Sequence, residues 1–102
     1  MAASVSRAFE GDRQVVWEAV LESARQGGMK TKDVDPDAGT VTLSKGMSMR
    51  AWGEAIEIQV RPAGDDAVEV TASAKAKFQL TDWGASQKTL DGFFFRLERI
   101  LR

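Results

Sequence analysis

The sequence predicts a single α+β domain: a two-layer sandwich whose antiparallel sheet of four or five strands carries two helices on one face, in the order β-α-β-β-β-β-α. Three observations predict it. Apolar and polar residues alternate without a break from Val68 to Leu80, the period of a long strand with one dry and one wet face. The segment SQKTLDGFFFRLERILR instead sets Leu90, Phe93, Phe94, Leu97, Ile100 and Leu101 at helical spacing, with Asp91, Arg96, Glu98 and Arg99 outward. The third is size and composition. With 102 residues, 43% hydrophobic and 28% charged, the chain has material for one core and one domain spanning 1-102.

In chain order, SVSRAFE (4-10) reads as a short strand with Val5, Arg7 and Phe9 on one side, and Arg7 breaks its apolar pattern. GDRQ opens a helix, with Gly11 or Asp12 placed to accept from the free N–H groups of its first turn. Its inward stripe is Val16, Ala19, Val20, Ser23 and Ala24, flanked by Val15, Trp17 and Leu21. Gly27-Gly28 ends it. The turn Asp35-Pro36-Asp37-Ala38-Gly39 joins strands at about Met29–Val34 and Thr40–Lys45.

The next strand lies in EAIEIQVRP, where Ile56, Ile58 and Val60 alternate with Glu57, Gln59 and Arg61, and Pro62 with AGDD closes a hairpin. The long strand follows, its dry face holding Ala72, Ala74 and Ala76 in succession, small enough to let a helix lie close. In the final helix Gly92 is expected to permit close approach to the sheet, at roughly 1 kcal/mol relative to alanine. Phe95 falls off the stripe, as a flank contact or an exposed aromatic.

The missing residue types narrow the chemistry. The chain has no Cys, no His and no Tyr, so thiolate nucleophiles, cysteine-ligated metals, the commonest general base and the commonest metal ligand are all excluded. Any catalysis would rest on Asp, Glu, Lys, Ser or Thr, with Glu54, Glu57, Glu69 and Asp82 as the available carboxylates, and no nucleophile–base constellation can be assembled. Glu57 and Glu69 come within reach across a hairpin, but Arg61 and Lys75 supply opposite charges there. DVDPDAG has Asp33, Asp35 and Asp37 at alternate positions like a calcium loop, yet Ala38 replaces the glycine at loop position six and Ser44 the glutamate at twelve. The expectation is therefore a non-enzyme without catalytic residues, cofactor or metal.

Net charge of −1 gives no general attraction to nucleic acid or anionic membranes. Lys75, Lys77, Gln59, Arg61 and Gln79 share the wet face with Glu57 and Glu69, a mixed rather than basic surface. No run approaches the ~20 apolar residues of a membrane span, and MAASVSRAFEGDR lacks the pattern of a secretory signal. Cytoplasmic residence is the expectation, without nucleic-acid or membrane partners.

Two Trp-Gly pairs mark junctions: Trp52-Gly53 before one strand, Trp83-Gly84 before the last helix, where Asp82 is placed to cap. Each ring suits the end of the core, with the glycine permitting the turn that aims it inward. SMRAWGEAIEIQV and then VEVTASAKAKFQLTDWGASQKTLDGFF resemble a group of small bacterial domains of unknown function that share an S-x-x-S-W-G-E-x-I segment, a later S-x-S-x-x-x-Q-x-x-D-W-G-x-N run and a C-terminal amphipathic helix. Ser48, Trp52, Gly53, Glu54, Ile56, Ser73, Gln79, Asp82, Trp83 and Gly84 carry the resemblance, which extends over roughly Val41 to Leu101; Ala51 and Ser86 depart from it. It implies a helix-grip or TATA-binding-protein-like (TBP-like) arrangement and no particular reaction.

The function expected is a small non-catalytic binding or protein-interaction domain, with an unknown protein partner or self-association, the first strand offering a free edge and Phe95 or Trp17 an apolar patch. The alternative is a carrier of a small apolar or amphipathic ligand between sheet and C-terminal helix, with Met47, Met49, Trp52, Phe78, Trp83 and Phe94 as the ligand-binding residues.

Overall fold

The strands and helices come in the expected order in a computed structural model that describes residues 3–45, 54–76 and 83–102. They are β1 (Ala3–Glu10), α1 (Arg13–Gln26), β2 (Lys30–Asp35), β3 (Thr40–Lys45), β4 (Glu54–Pro62), β5 (Ala67–Ala76) and α2 (Trp83–Leu101). The five strands form one antiparallel sheet in the order β1-β5-β4-β3-β2. α1 connects the two edge strands and packs beside α2 on the same face of the sheet.

The alternation seen in the sequence becomes the inner face. Val41 and Leu43 stand opposite Ile58 and Ile56, Ile58 opposite Ala72, and Val60 opposite Val70. All are buried, together with Val16, Trp17 and Val20 of α1 and Leu90, Phe93, Phe94 and Leu97 of α2. Trp17, considered as an exposed patch, is only 5% exposed and belongs to this core. It is buried because its position on the helix adjoins the stripe of Val20 and Ala24.

Several local devices hold the layers in place. Asp12 has the extended conformation of an N-cap but makes no side-chain cap bond; its backbone carbonyl accepts from the Val16 N–H at 3.0 Å. The other end of α1 closes as a Schellman motif: Gly28 has φ +74°, its N–H donates to the Arg25 carbonyl, and Met29 N–H donates to the Ala24 carbonyl, each at 3.0 Å. In the β2–β3 turn Gly39 has φ +72°, donates to the Asp35 carbonyl and accepts from Val60 N–H at 2.7 Å. A Cβ there would collide with the Val60 carbonyl, so both conformation and space demand glycine.

Arg7, which interrupts the pattern of β1, has a physical explanation in α2. It lies on the inner face opposite Val70, with its guanidinium 5.5 Å from the Phe94 ring centroid and 3.0 Å from Glu98 Oε1. An inward-pointing charge on an edge strand also discourages a further strand from adding there. Gly92 corrects another expectation. What a Cβ would approach there is Arg96 of the same helix, not the sheet. Phe95 is an exposed aromatic, 61% accessible, with the Arg99 guanidinium over its ring.

Candidate functional site

Phe94 is the one expected ligand-binding residue whose side chain is described, and its surroundings are filled. It is 1% exposed, stacked on Phe9 with ring centroids 6.4 Å apart, edge-on to Phe93 at 5.3 Å, and covered on its open side by Arg7. Such geometry suits aromatic packing. Met47, Met49, Trp52 and Phe78 lie outside the described residues, as does Asp82. Trp83 is the first residue of α2, one position before the expected start, and its side chain is likewise outside the description.

Several acidic and basic residues of the described parts are paired at the surface. Glu69 is opposite Arg61 and accepts from its guanidinium at 3.0 and 3.2 Å. Glu57 instead stands opposite Ser73 and Thr42, so Glu57 and Glu69 do not face each other; the register of β4 and β5 sets them on different rungs. Glu22 binds Arg25 and Gln26 on the same helix, and these bonds, with Arg25 foremost, lower its carboxyl to about 2 and raise the Arg25 guanidinium.

The aspartate-rich turn is built as a hairpin. Asp35 accepts the Ala38 N–H through Oδ1 at 3.1 Å, while Arg13 donates to the carbonyls of Pro36 and Asp37 at 2.8 and 3.4 Å. A guanidinium therefore occupies the carbonyl side of the loop. Among the described residues no group of three acidic side chains is placed to hold a metal ion, and no helix is long and apolar enough to cross a membrane.

The outer face of the sheet is polar. Ser4 and Ser73 hydroxyls are 3.3 Å apart and those of Ser6 and Thr71 2.9 Å, while Gln59 stands between Thr71 and Thr40. β1 is an edge strand, as expected, and β2 is the opposite edge. Exposed lysines and a register irregularity between Thr31 and Val34 interrupt β2 as a template for pairing.

Two features of the helix layer were missed by sequence reasoning. Ser23, fully buried, donates its hydroxyl to the Phe93 carbonyl at 2.8 Å, and Arg96 Nε donates to the Ser23 carbonyl at 3.1 Å. The Arg96 guanidinium lies where a Gly27 Cβ would be, capping the negative end of α1, and desolvation lowers its pKa. The pairing of α1 with α2 was needed to see this, although the serine in an apolar stripe was a signal. The second feature is an open groove of about 480 Å³ lined by Val15, Glu18, Ala19, Glu22, Ile100 and Leu101. Val15, read only as a flank of the stripe, is 55% exposed there.

No protein-family model matches the chain, and no curated protein sequence is significantly similar. Solved structures do resemble it. Protein MLL2253 from Mesorhizobium loti is similar with TM-score 0.74 and 13% identity, over 99% of this chain and 96% of that one. A chain of the adenylate sensor from AMP-activated protein kinase, crystallised in complex with ATP, is similar with TM-score 0.70 and 13% identity, over 88% of this chain and 92% of that one. An uncharacterised Bacillus thuringiensis protein is similar with TM-score 0.61 and 11% identity along the full length of both. At these identities the likeness concerns the fold alone, a helix-grip or TBP-like α+β arrangement.

Proposed function

We propose that this chain is a non-catalytic binding domain whose work is protein interaction at its surface, with the Trp52-Gly53-Glu54 and Asp82-Trp83-Gly84 segments as marks of the small bacterial group that they resemble. One observation carries it: Arg7–Glu98, Arg25–Glu22 and Arg61–Glu69, ion pairs among the described residues, are exposed contacts that brace or solvate the fold rather than meet in a cleft. Reaction chemistry needs a base or nucleophile positioned against substrate in a concave site, and guanidinium–carboxylate pairs in open water supply neither.

Carriage of a small ligand between the sheet and α2, by Met47, Met49, Trp52, Phe78, Trp83 and Phe94, is the second reading. It is favoured by the presence of an adenylate sensor crystallised with ATP among the structures of similar fold. Against it, Phe94 is already enclosed by Phe9, Phe93 and Arg7. Native mass spectrometry of the purified protein, repeated after denaturation, separates the two. A bare polypeptide mass is expected. A mass excess lost on denaturation would favour the carrier, and a metal or redox cofactor in that excess would overturn the non-catalytic assignment.

A further inference from the structure

The groove on the helix layer has the chemistry of a docking site. Val15, Glu18, Ala19 and Glu22 are spaced i, i+3, i+4 and i+7, so they share one side of α1, joined to the sheet-facing stripe through the buried Ala19. The end of α2 contributes Ile100 and Leu101. The floor is therefore apolar, and its lining charges are two carboxylates one helical turn apart, about 6 Å between their Cβ atoms. No cation lines it. Glu18 accepts from Gln14 and Glu22 from Arg25 and Gln26, all bonds within α1 at an exposed surface and readily exchanged for a partner's.

Resting on the interaction-domain reading above, we propose that this groove receives an amphipathic helix of a partner protein, with apolar side chains toward Val15, Ala19, Ile100 and Leu101 and lysine or arginine at i, i+4 spacing against Glu18 and Glu22. Charge selects this occupant. A second copy docked through the same patch about a twofold axis would bring like-charged Glu18 side chains together, its Arg25 guanidinium being already held by Glu22. An anionic membrane surface would meet the same repulsion. The open shape also suits the side chains of a helix laid along it better than a small molecule, which gains affinity by being enclosed.

The test uses an NMR titration of the whole chain with a synthetic helical peptide of about 18 residues, leucines along one stripe and lysines at i, i+4 beside it. A second peptide keeps the leucines and has glutamates in place of the lysines. The lysine peptide is expected to shift the amides of Val15, Ala19, Ile100 and Leu101 saturably, and the glutamate peptide to bind at least about tenfold more weakly. E18Q/E22Q is expected to weaken the lysine peptide by about tenfold and to flatten its salt dependence; V15D is expected to abolish binding. Both variants change exposed side chains, and their unperturbed spectra elsewhere report an intact fold.

Equal binding of both peptides, shifts that map elsewhere, or no saturable binding would overturn the proposal. So would the same shifts on concentrating the protein alone, which would assign the groove to a second copy. A bare native mass with an unresponsive groove would defeat this site and leave the interaction reading standing, whereas a retained cofactor would defeat that reading itself.

Discussion

Replacing Phe94 by alanine distinguishes a core plug from the wall of a ligand cavity. The ring is fully enclosed, stacked on Phe9, edge-on to Phe93 and covered by Arg7. Truncating such a phenylalanine costs about 3–5 kcal/mol through lost transfer energy and the cavity left behind. The two ring contacts account for roughly 0.5–1.5 kcal/mol each beyond buried area, within that total rather than added to it. A domain of this size has ~5–10 kcal/mol in all, so Phe94→Ala should remove about half of its stability. With a urea slope of ~1.5 kcal/mol/M, a loss of ~4 kcal/mol moves the unfolding midpoint by roughly 2.5 M. Phe94→Leu, which keeps most of the bulk, should move it by less than ~1 M. A shift below about 0.7 M for Phe94→Ala, worth ~1 kcal/mol at that slope, would refute the packed-core account, since little is lost where one side of a ring already faces empty space.

Gly39→Ala should be among the most damaging single-methyl changes, because it combines left-handed strain of about 1–2 kcal/mol with a clash against the Val60 carbonyl. Gly28→Ala, where the left-handed conformation is the same but the space is open, should show the strain alone; urea midpoints for the pair separate the two terms. Arg96→Met should cost about 1–2 kcal/mol by removing the donor to the Ser23 carbonyl while keeping the aliphatic stem, and Gly27→Ala should release the same contact by displacing the guanidinium, readable as one shared set of chemical-shift changes along α1. Glu22 is held at about 2 in the folded state against an ordinary 4.5. Because the folded value is depressed, its contribution is present above pH ~4.5 and disappears as pH falls toward 2. The Tm difference between the parent and Glu22→Gln should therefore be small but constant near neutrality, narrow below that point and vanish at about pH 2; a difference that grew with acid would contradict the sign.

The alternation of Val68, Val70 and Ala72, the helical spacing of Leu90 to Leu101, and the turn residues Gly28 and Gly39 determined the element order and the inner face from sequence alone. These features express local periodicity and local φ preference, which a chain carries in its order of residues. They do not say which faces of two different helices will meet. That α1 runs beside α2, so that Ser23 reaches the Phe93 carbonyl and Arg96 caps α1, was decided by tertiary packing across some seventy residues of chain. The same packing turned Trp17 inward and left Val15 outside, beside Ile100 and Leu101, though both adjoin the one stripe. Register decided that Glu57 and Glu69 stand on different rungs, and that Arg7 on an inner face finds Phe94 and Glu98. A local pattern sets which side of an element is apolar. Which neighbour covers that side, and which polar groups find partners there, depends on contacts between residues far apart in the chain, where shape and register select among faces of similar composition.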